Sequence, residues 1–318
     1  MPSPDATGCG RYLPKATGSD LWRNEMTFCV AAACAHEGKN AIVACCDMQM
    51  TNSGDPVRTE ESNKLAYFGR GTILKTGDGS HADELIAVIQ PSLHSYDCAP
   101  KPAEEFDARI LALLAELRKA VRRRKADIVE HYLGLKHNVS VADFRKNGAV
   151  WFPLEYESIL QEMRHLKLGC DLVCAYADDR EPVIVQITGD GGVVWQDHYA
   201  SIGSGRDLGT AILAQSDWYE APALMDCLAR VYLAKLTAES DPRVGRKTLF
   251  DLMIEGEDFD DLSPEGRDYL ADRVERITIP SALEFQPSFL MVTHSDTSRR
   301  TPQAPAYEER GLTRSSTC

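Results

Sequence analysis

The patterned part of the chain opens with two almost unbroken apolar runs. Thr27 to Cys34 (TFCVAAAC) and Ala41 to Asp47 (AIVACCD) are separated by the polar turn AHEGKN, a hairpin signal. Runs without polar alternation indicate strands covered on both faces. A second strand pair is predicted at Lys64 to Phe68 and Thr72 to Thr76. GDGSHADELIAVI then enters a helix, with Asp83 and Glu84 expected in its first turn, where acids suit the helix dipole.

From Ala103 to about Leu133 the pattern is helical, with Phe106, Ile110, Leu113, Leu114, Leu117 and Val121 on one stripe. Another helix is predicted over Glu155 to Leu168. Strands resume at Leu172 to Ala177, Pro182 to Thr188, Val193 to Gln196 and His198 to Ile202, with GDGG as a hairpin turn. IGSGRDLGTAILAQ begins a helix, Ala221 to Thr237 makes one more, and Lys247 to Ile254 is a last strand. This order of strand runs and helix pairs predicts an α+β fold in which two sheets are covered by helices, and not a parallel βαβ sheet.

Composition narrows the function. The 318 residues are 43% hydrophobic and 26% charged, as in ordinary globular proteins. With 48 acidic against 35 basic residues the net charge is −13, a field that repels nucleic acid and anionic lipid. The cluster Arg122, Arg123, Arg124 and Lys125 lacks interleaved aromatics, so a solvated helix face or a subunit contact is expected there. No apolar run reaches the ~18 residues of a membrane helix, and MPSPDATGCGRYLPKATGSD has no apolar centre of the secretory kind, so a cytoplasmic location is expected. Residues 1–25 and 294–318 are expected to be tails outside a domain at 26–293.

Most of the ten cysteines sit in apolar stretches and are expected to be reduced and buried. Cys170 and Cys174 lack a second ligand pair, no HExxH occurs, and neither a P-loop nor a GxSxG elbow is present, so no cofactor or metal is expected. The acidic run Glu255 to Asp261 lacks EF-hand spacing and is expected to be a solvated loop. What remains is a dispersed set: Thr27 at a strand start, Asp47 at a strand end, Lys64 opening a strand, Gly79 at a helix start, Ser204 in a GSG turn, and Asp241 before the last strand. Read singly, Asp47 fits a turn cap, Lys64 a surface lysine and Ser204 a turn residue.

Read together, MTFCVAAACAHEGKNAIVACCDMQMTNSG, the Lys64-Leu65 strand start, Gly79 to Asp83, IGSG at 202–205 and DPRVG at 241–245 resemble proteasome beta-type subunits. The likeness is to the bacterial proteasome-like peptidases of the HslV and Anbu types in particular, in the same chain order from about Met26 to Met253. The resemblance implies a four-layer αββα sandwich of the N-terminal nucleophile hydrolase type, with two antiparallel sheets and, here, an extended helical insert from about Ser92 to Leu168. It also implies assembly into homo-oligomeric rings, a peptide or protein substrate, and an ATPase as a possible partner. Residue by residue, Thr27 is the implied nucleophile with its own α-amine as proton acceptor, and Asp47 and Lys64 are its electrostatic supports. Gly79 is the implied backbone oxyanion donor, and Ser204 and Asp241 orient the amine. Several features depart from the pattern: Met26 precedes Thr27 where Gly is usual, Asp47-Met48-Gln49 stands where D-S-R is common, Val244 where a serine is frequent, and the turn between the first two strands is about four residues longer than usual.

The chemistry has a reason of its own. A threonine hydroxyl needs a base within reach, and a terminal amine with pKa near ~8 is the base a chain end supplies. A charged lysine nearby favours the alkoxide, and a helix-start amide facing the oxyanion is worth ~3 to 4 kcal/mol. An acylated nitrogen is no base, and 26 residues precede Thr27. Catalysis therefore requires cleavage at Met26-Thr27, or translation from Met26 with methionine removal. The alternative is an inactive scaffold subunit that keeps its extension.

Overall fold

The computed structural model describes residues 27–48, 50–51, 58–59, 64–98, 105–215, 218, 220–256 and 260–261. The expected tails, 1–25 and 294–318, lie outside these residues, as do positions 52–54 of the segment MQMTNSG and 257–259 of the acidic run. Every described residue falls in one compact unit, Met1–Arg276.

In chain order the elements are β1 (Phe28–His36), β2 (Lys39–Asp47), β3 (Met50–Thr51), β4 (Arg58–Thr59), β5 (Leu65–Phe68) and β6 (Gly71–Gly77), then α1 (Gly79–Cys98), α2 (Phe106–His137), α3 (Val141–Trp151) and α4 (Tyr156–His165). They continue with β7 (Cys170–Ala177), β8 (Pro182–Ile187), β9 (Val193–Gln196), β10 (Tyr199–Gly203), α5 (Arg206–Ala214), α6 (Leu224–Ala238), β11 (Thr248–Ile254) and β12 (Asp260–Asp261). The fold is mixed α+β with two five-stranded antiparallel sheets, ordered β10-β1-β2-β11-β12 and β5-β6-β7-β8-β9; β3 and β4 form a separate pair.

The apolar runs are explained by alternation across two hydrophobic clusters. Phe28, Val30 and Ala32 of β1 join Val43 and Cys45 of β2 against Leu213 of α5 and Leu228, Val231 and Ala234 of α6. The intervening Cys29, Ala31 and Ala33 join Ile42, Ala44 and Met253 against Leu74, Val173, Ala175 and Ile184 of the second sheet. The second sheet turns its other face, including Ile73, Cys174, Tyr176 and Val185, to Leu85 and Ile89 of α1 and Ile110, Leu114 and Leu117 of α2. Since side chains alternate along a strand, each sheet buries both sides and no position of the β1 core can be polar.

Several local readings change. The turn AHEGKN shrinks to Glu37-Gly38, because pairing runs on through Ala35↔Asn40 and His36↔Lys39. Both turn residues have positive φ, 51° and 82°, as a tight twist-matched hairpin requires. Asp83 and Glu84 are not in the first turn of α1, which holds no acid. Asp78 caps it instead, its Oδ1 accepting from Ser80 N (2.9 Å) and His81 N (3.1 Å). Asp83 pairs with Lys75 at 2.6 Å, and Glu84 accepts from Arg124.

The basic cluster on α2 divides. Arg122 and Arg123 are exposed, while Arg124 ties α2 to α1 and Lys125 donates to the Asp190 carbonyl at 2.7 Å, tying α2 to the β8-β9 turn. Helix α3, which the hydrophobic pattern does not predict, is capped by Ser140, which accepts from Asp143 N at 3.0 Å. With α4 and the end of α2 it encloses a small cluster of its own around Leu133, Phe144 and Ile159. The acidic run is not wholly loop, since Asp260 pairs with Leu252. Among the described residues no helix is long and apolar enough to cross a membrane.

Asp178, fully buried after β7, joins both sheets to the helices. Its Oδ2 accepts from Tyr96 of α1 (3.1 Å) and Arg109 of α2 (3.0 Å), and its carbonyl accepts from Asn40 of β2 (2.9 Å). Asp178→Ala strands the largely covered Arg109 charge, so chemical denaturation is expected to show a loss of about 3 to 5 kcal/mol.

Candidate active site

The site lies where β1 begins and β2 ends. Antiparallel register places Cys29 opposite Cys46, which brings the residue before β1, Thr27, beside the last residue of β2, Asp47. Asp47 Oδ1 accepts from Thr27 Oγ1 at 2.5 Å, from the Phe28 amide at 2.7 Å and from Lys64 Nζ at 2.9 Å. Lys64 Nζ also donates to Thr27 Oγ1. The lysine comes from the other sheet, immediately before β5, where its carbonyl accepts from Lys75 N of β6 at 3.0 Å. Asp47 Oδ2 accepts from Gly245 N at 2.9 Å, so the loop leading into β11 closes the carboxylate from a third side.

All three side chains are buried: Thr27 is 1%, Asp47 0% and Lys64 6% exposed. A buried ion pair survives only when its remaining donors and acceptors are met, and here backbone amides and the hydroxyl meet them. The hydroxyl gives its proton toward a carboxylate and receives a cation on its oxygen. The ammonium, rather than the carboxylate, stabilises negative charge on Oγ1.

The Thr27 carbonyl is fixed as well. It accepts from Gly205 N at 3.3 Å and from Ser204 Oγ at 3.4 Å. Gly203, opposite Phe28 at the end of β10, has φ +95°, and a Cβ there would lie 2.0 Å from the Thr27 oxygen. Ser204 therefore contacts the carbonyl of Thr27. The described hydrogen bonds of the Asp241 carboxylate run to Arg243, through both Nε and Nη2 and the backbone amide. Gly79 is the first residue of α1, and a Cβ on it would meet nothing within 4 Å. Val244 is buried and packs toward Gly205, whose hypothetical Cβ would lie 2.8 Å from Val244 Cγ2.

Thr27, Asp47 and Lys64 thus form one cluster, with Ser204 at its edge. The pattern reading missed Gly203 and the Gly245 amide. Both stand in segments that the sequence singles out, IGSG and DPRVG, where the resemblance points instead to the polar Ser204 and Asp241 as groups that orient the Thr27 amine. The neighbouring Cys29 thiol is held neutral, burial pushing it well above its ordinary value; away from the site, in the layer between the second sheet and the helices, burial pushes Cys170 and Cys174 up to about 12. Cys29, Cys34, Cys45, Cys46, Cys170, Cys174 and Cys227 are free and buried. Among the described residues no group of three His, Cys, Asp or Glu side chains could hold a metal ion. Neither a protein-family model nor a curated protein sequence matches the chain.

Gly203→Ala forces a side chain into left-handed backbone against a fixed carbonyl, and an equilibrium denaturation loss above about 2 kcal/mol is expected. A second expectation concerns acid. Hydrogen bonds from Arg243 hold the Asp241 carboxyl below its ordinary value. The stabilisation is present above the ordinary carboxylate range and is lost as pH falls through the lower folded value. Arg243→Gln should therefore cost up to about 1 kcal/mol at pH 7, with the difference from the parent shrinking toward pH 2 in urea titrations.

Proposed function

We propose that the protein is a threonine-type amide hydrolase of the proteasome-like, N-terminal nucleophile class, acting on peptide or protein substrates. The observation that carries this reading is the buried Thr27-Asp47-Lys64 cluster at the head of β1, with Lys64 donating to the Thr27 hydroxyl. The stacking of α1 and α2 on one sheet, α5 and α6 on the other, and a shared apolar layer between the sheets supports a four-layer αββα sandwich of that class. Ring assembly, an ATPase partner and a cytoplasmic setting belong to the same proposal.

In the proposed reaction the chain begins at Thr27. The free amine accepts the hydroxyl proton as Oγ1 attacks the scissile carbonyl, and the Lys64 ammonium stabilises the charge that develops on Oγ1. The Gly79 amide, at the start of α1, serves the oxyanion. The protonated amine then gives its proton to the leaving nitrogen, leaving an ester on Thr27 that water hydrolyses, the amine acting again as base. Asp47 orients Lys64.

A second reading, a catalytically inactive scaffold subunit, is favoured by two observations: in this chain the Thr27 nitrogen is acylated by Met26, and Thr27 is 1% exposed. The readings separate on protein prepared with Thr27 as its first residue. Turnover of fluorogenic peptides is expected, kept by Thr27→Ser and lowered about 10³-fold or more by Thr27→Ala. Equal turnover by Thr27→Ala removes the nucleophile from the mechanism. The intact mass of the native protein reports which amino terminus it carries in the cell.

A further inference from the structure

Lys235 is a buried charge that the proposed chemistry leaves unused. It lies in the last turn of α6, 0% exposed, among apolar residues that pack beneath β1 and β2. A leucine or methionine would fill such a place with no desolvation cost, so the charge calls for a reason. Its Nζ donates to the Glu239 carboxylate and, at 2.8 Å, to the carbonyl of Arg246. Its field also reaches β2, where it opposes the upward push of burial on the Cys45 thiol, two residues before Asp47.

Arg246 directly follows Gly245, whose N–H holds Asp47 Oδ2 at 2.9 Å. The adjoining Lys247 carbonyl accepts from Met48 N at 3.1 Å, on the residue after Asp47. The loop from α6 to β11 is thus gripped by Lys235 on one side and grips Asp47 on the other. We infer that Lys235 is a positioning residue: by holding the Arg246 carbonyl it sets the Gly245 amide, and through it the carboxylate orientation that Lys64 and Thr27 require. The inference rests on the hydrolase reading for its kinetic consequence but not for its structural one.

Two measurements test it, both on the protein with Thr27 at its amino end. Hydrogen-deuterium exchange followed by mass spectrometry is expected to show at least about tenfold faster exchange in the 243–248 segment of Lys235→Met, with β6 and β7 unchanged. Unchanged protection of that segment overturns the inference whether or not the protein turns over peptides. In peptide hydrolysis, kcat is expected to fall about 10- to 100-fold with KM within about twofold. In an Asp47→Asn background the same substitution should cost less than about twofold, because the group it orients is gone. An equal loss in both backgrounds, or none in the parent, overturns the positioning role, whereas a parent without turnover counts against the hydrolase reading alone. If Lys235→Met does not fold, Lys235→Met with Glu239→Gln removes both charges and takes its place. Failure of both to fold assigns Lys235 to stability and refutes the inference.

Discussion

A buried carboxylate needs donors on every side, and the organisation of this molecule turns on how Asp47 finds them. Its two oxygens collect the Thr27 hydroxyl, the Phe28 amide, the Lys64 ammonium and the Gly245 amide. Those groups come from the head of β1, the edge of the second sheet and the approach to β11. The charge is compensated only when these elements have converged, so the Thr27-Asp47-Lys64 geometry and the fold are completed by the same event. Ser204, Gly203 and Gly205 extend this logic to the Thr27 carbonyl, holding the backbone from which the hydroxyl projects.

The same convergence explains the economy of the two central strands. Small residues on β1 face the second sheet on one side and the helix layer on the other, and the pairs Ala31↔Ala44 and Cys29↔Cys46 place small side chains against the second sheet. Close-packed interiors register changes as small as one methylene, so the run VAAAC at 30–34 is a spatial requirement more than a matter of hydrophobicity.

Legibility in the sequence followed the physics of each element. Strands buried on both faces announce themselves as unbroken apolar runs, and Val193–Gln196 was delimited to the residue. Helix α3 was hidden because its apolar contacts are few, only Phe144 and Gly148 being buried, and it carries an interior glycine that packs against Tyr156. The extra turn residues around Glu37-Gly38 looked like loop because His36 and Lys39 are polar, yet they pair as strand. At the site, side chains with obvious chemistry were visible as candidates: Thr27, Asp47 and Lys64 meet. The Gly245 amide was not visible, because a backbone N–H has no residue type to betray it. Asp241, the polar residue of that segment, spends its carboxylate on Arg243.

Helix α2 has 32 residues and runs about 48 Å at the usual rise per residue. Its first half is clamped to the second sheet, while its far end belongs to the separate knot of Leu133, Phe144 and Ile159 with α3 and α4. That knot shares no apolar contact set with the layer around Asp47. The outer helices therefore bury an apolar cluster of their own, distinct in its residues from the layers that pack on either side of the strands bearing the hydroxyl and the carboxylate.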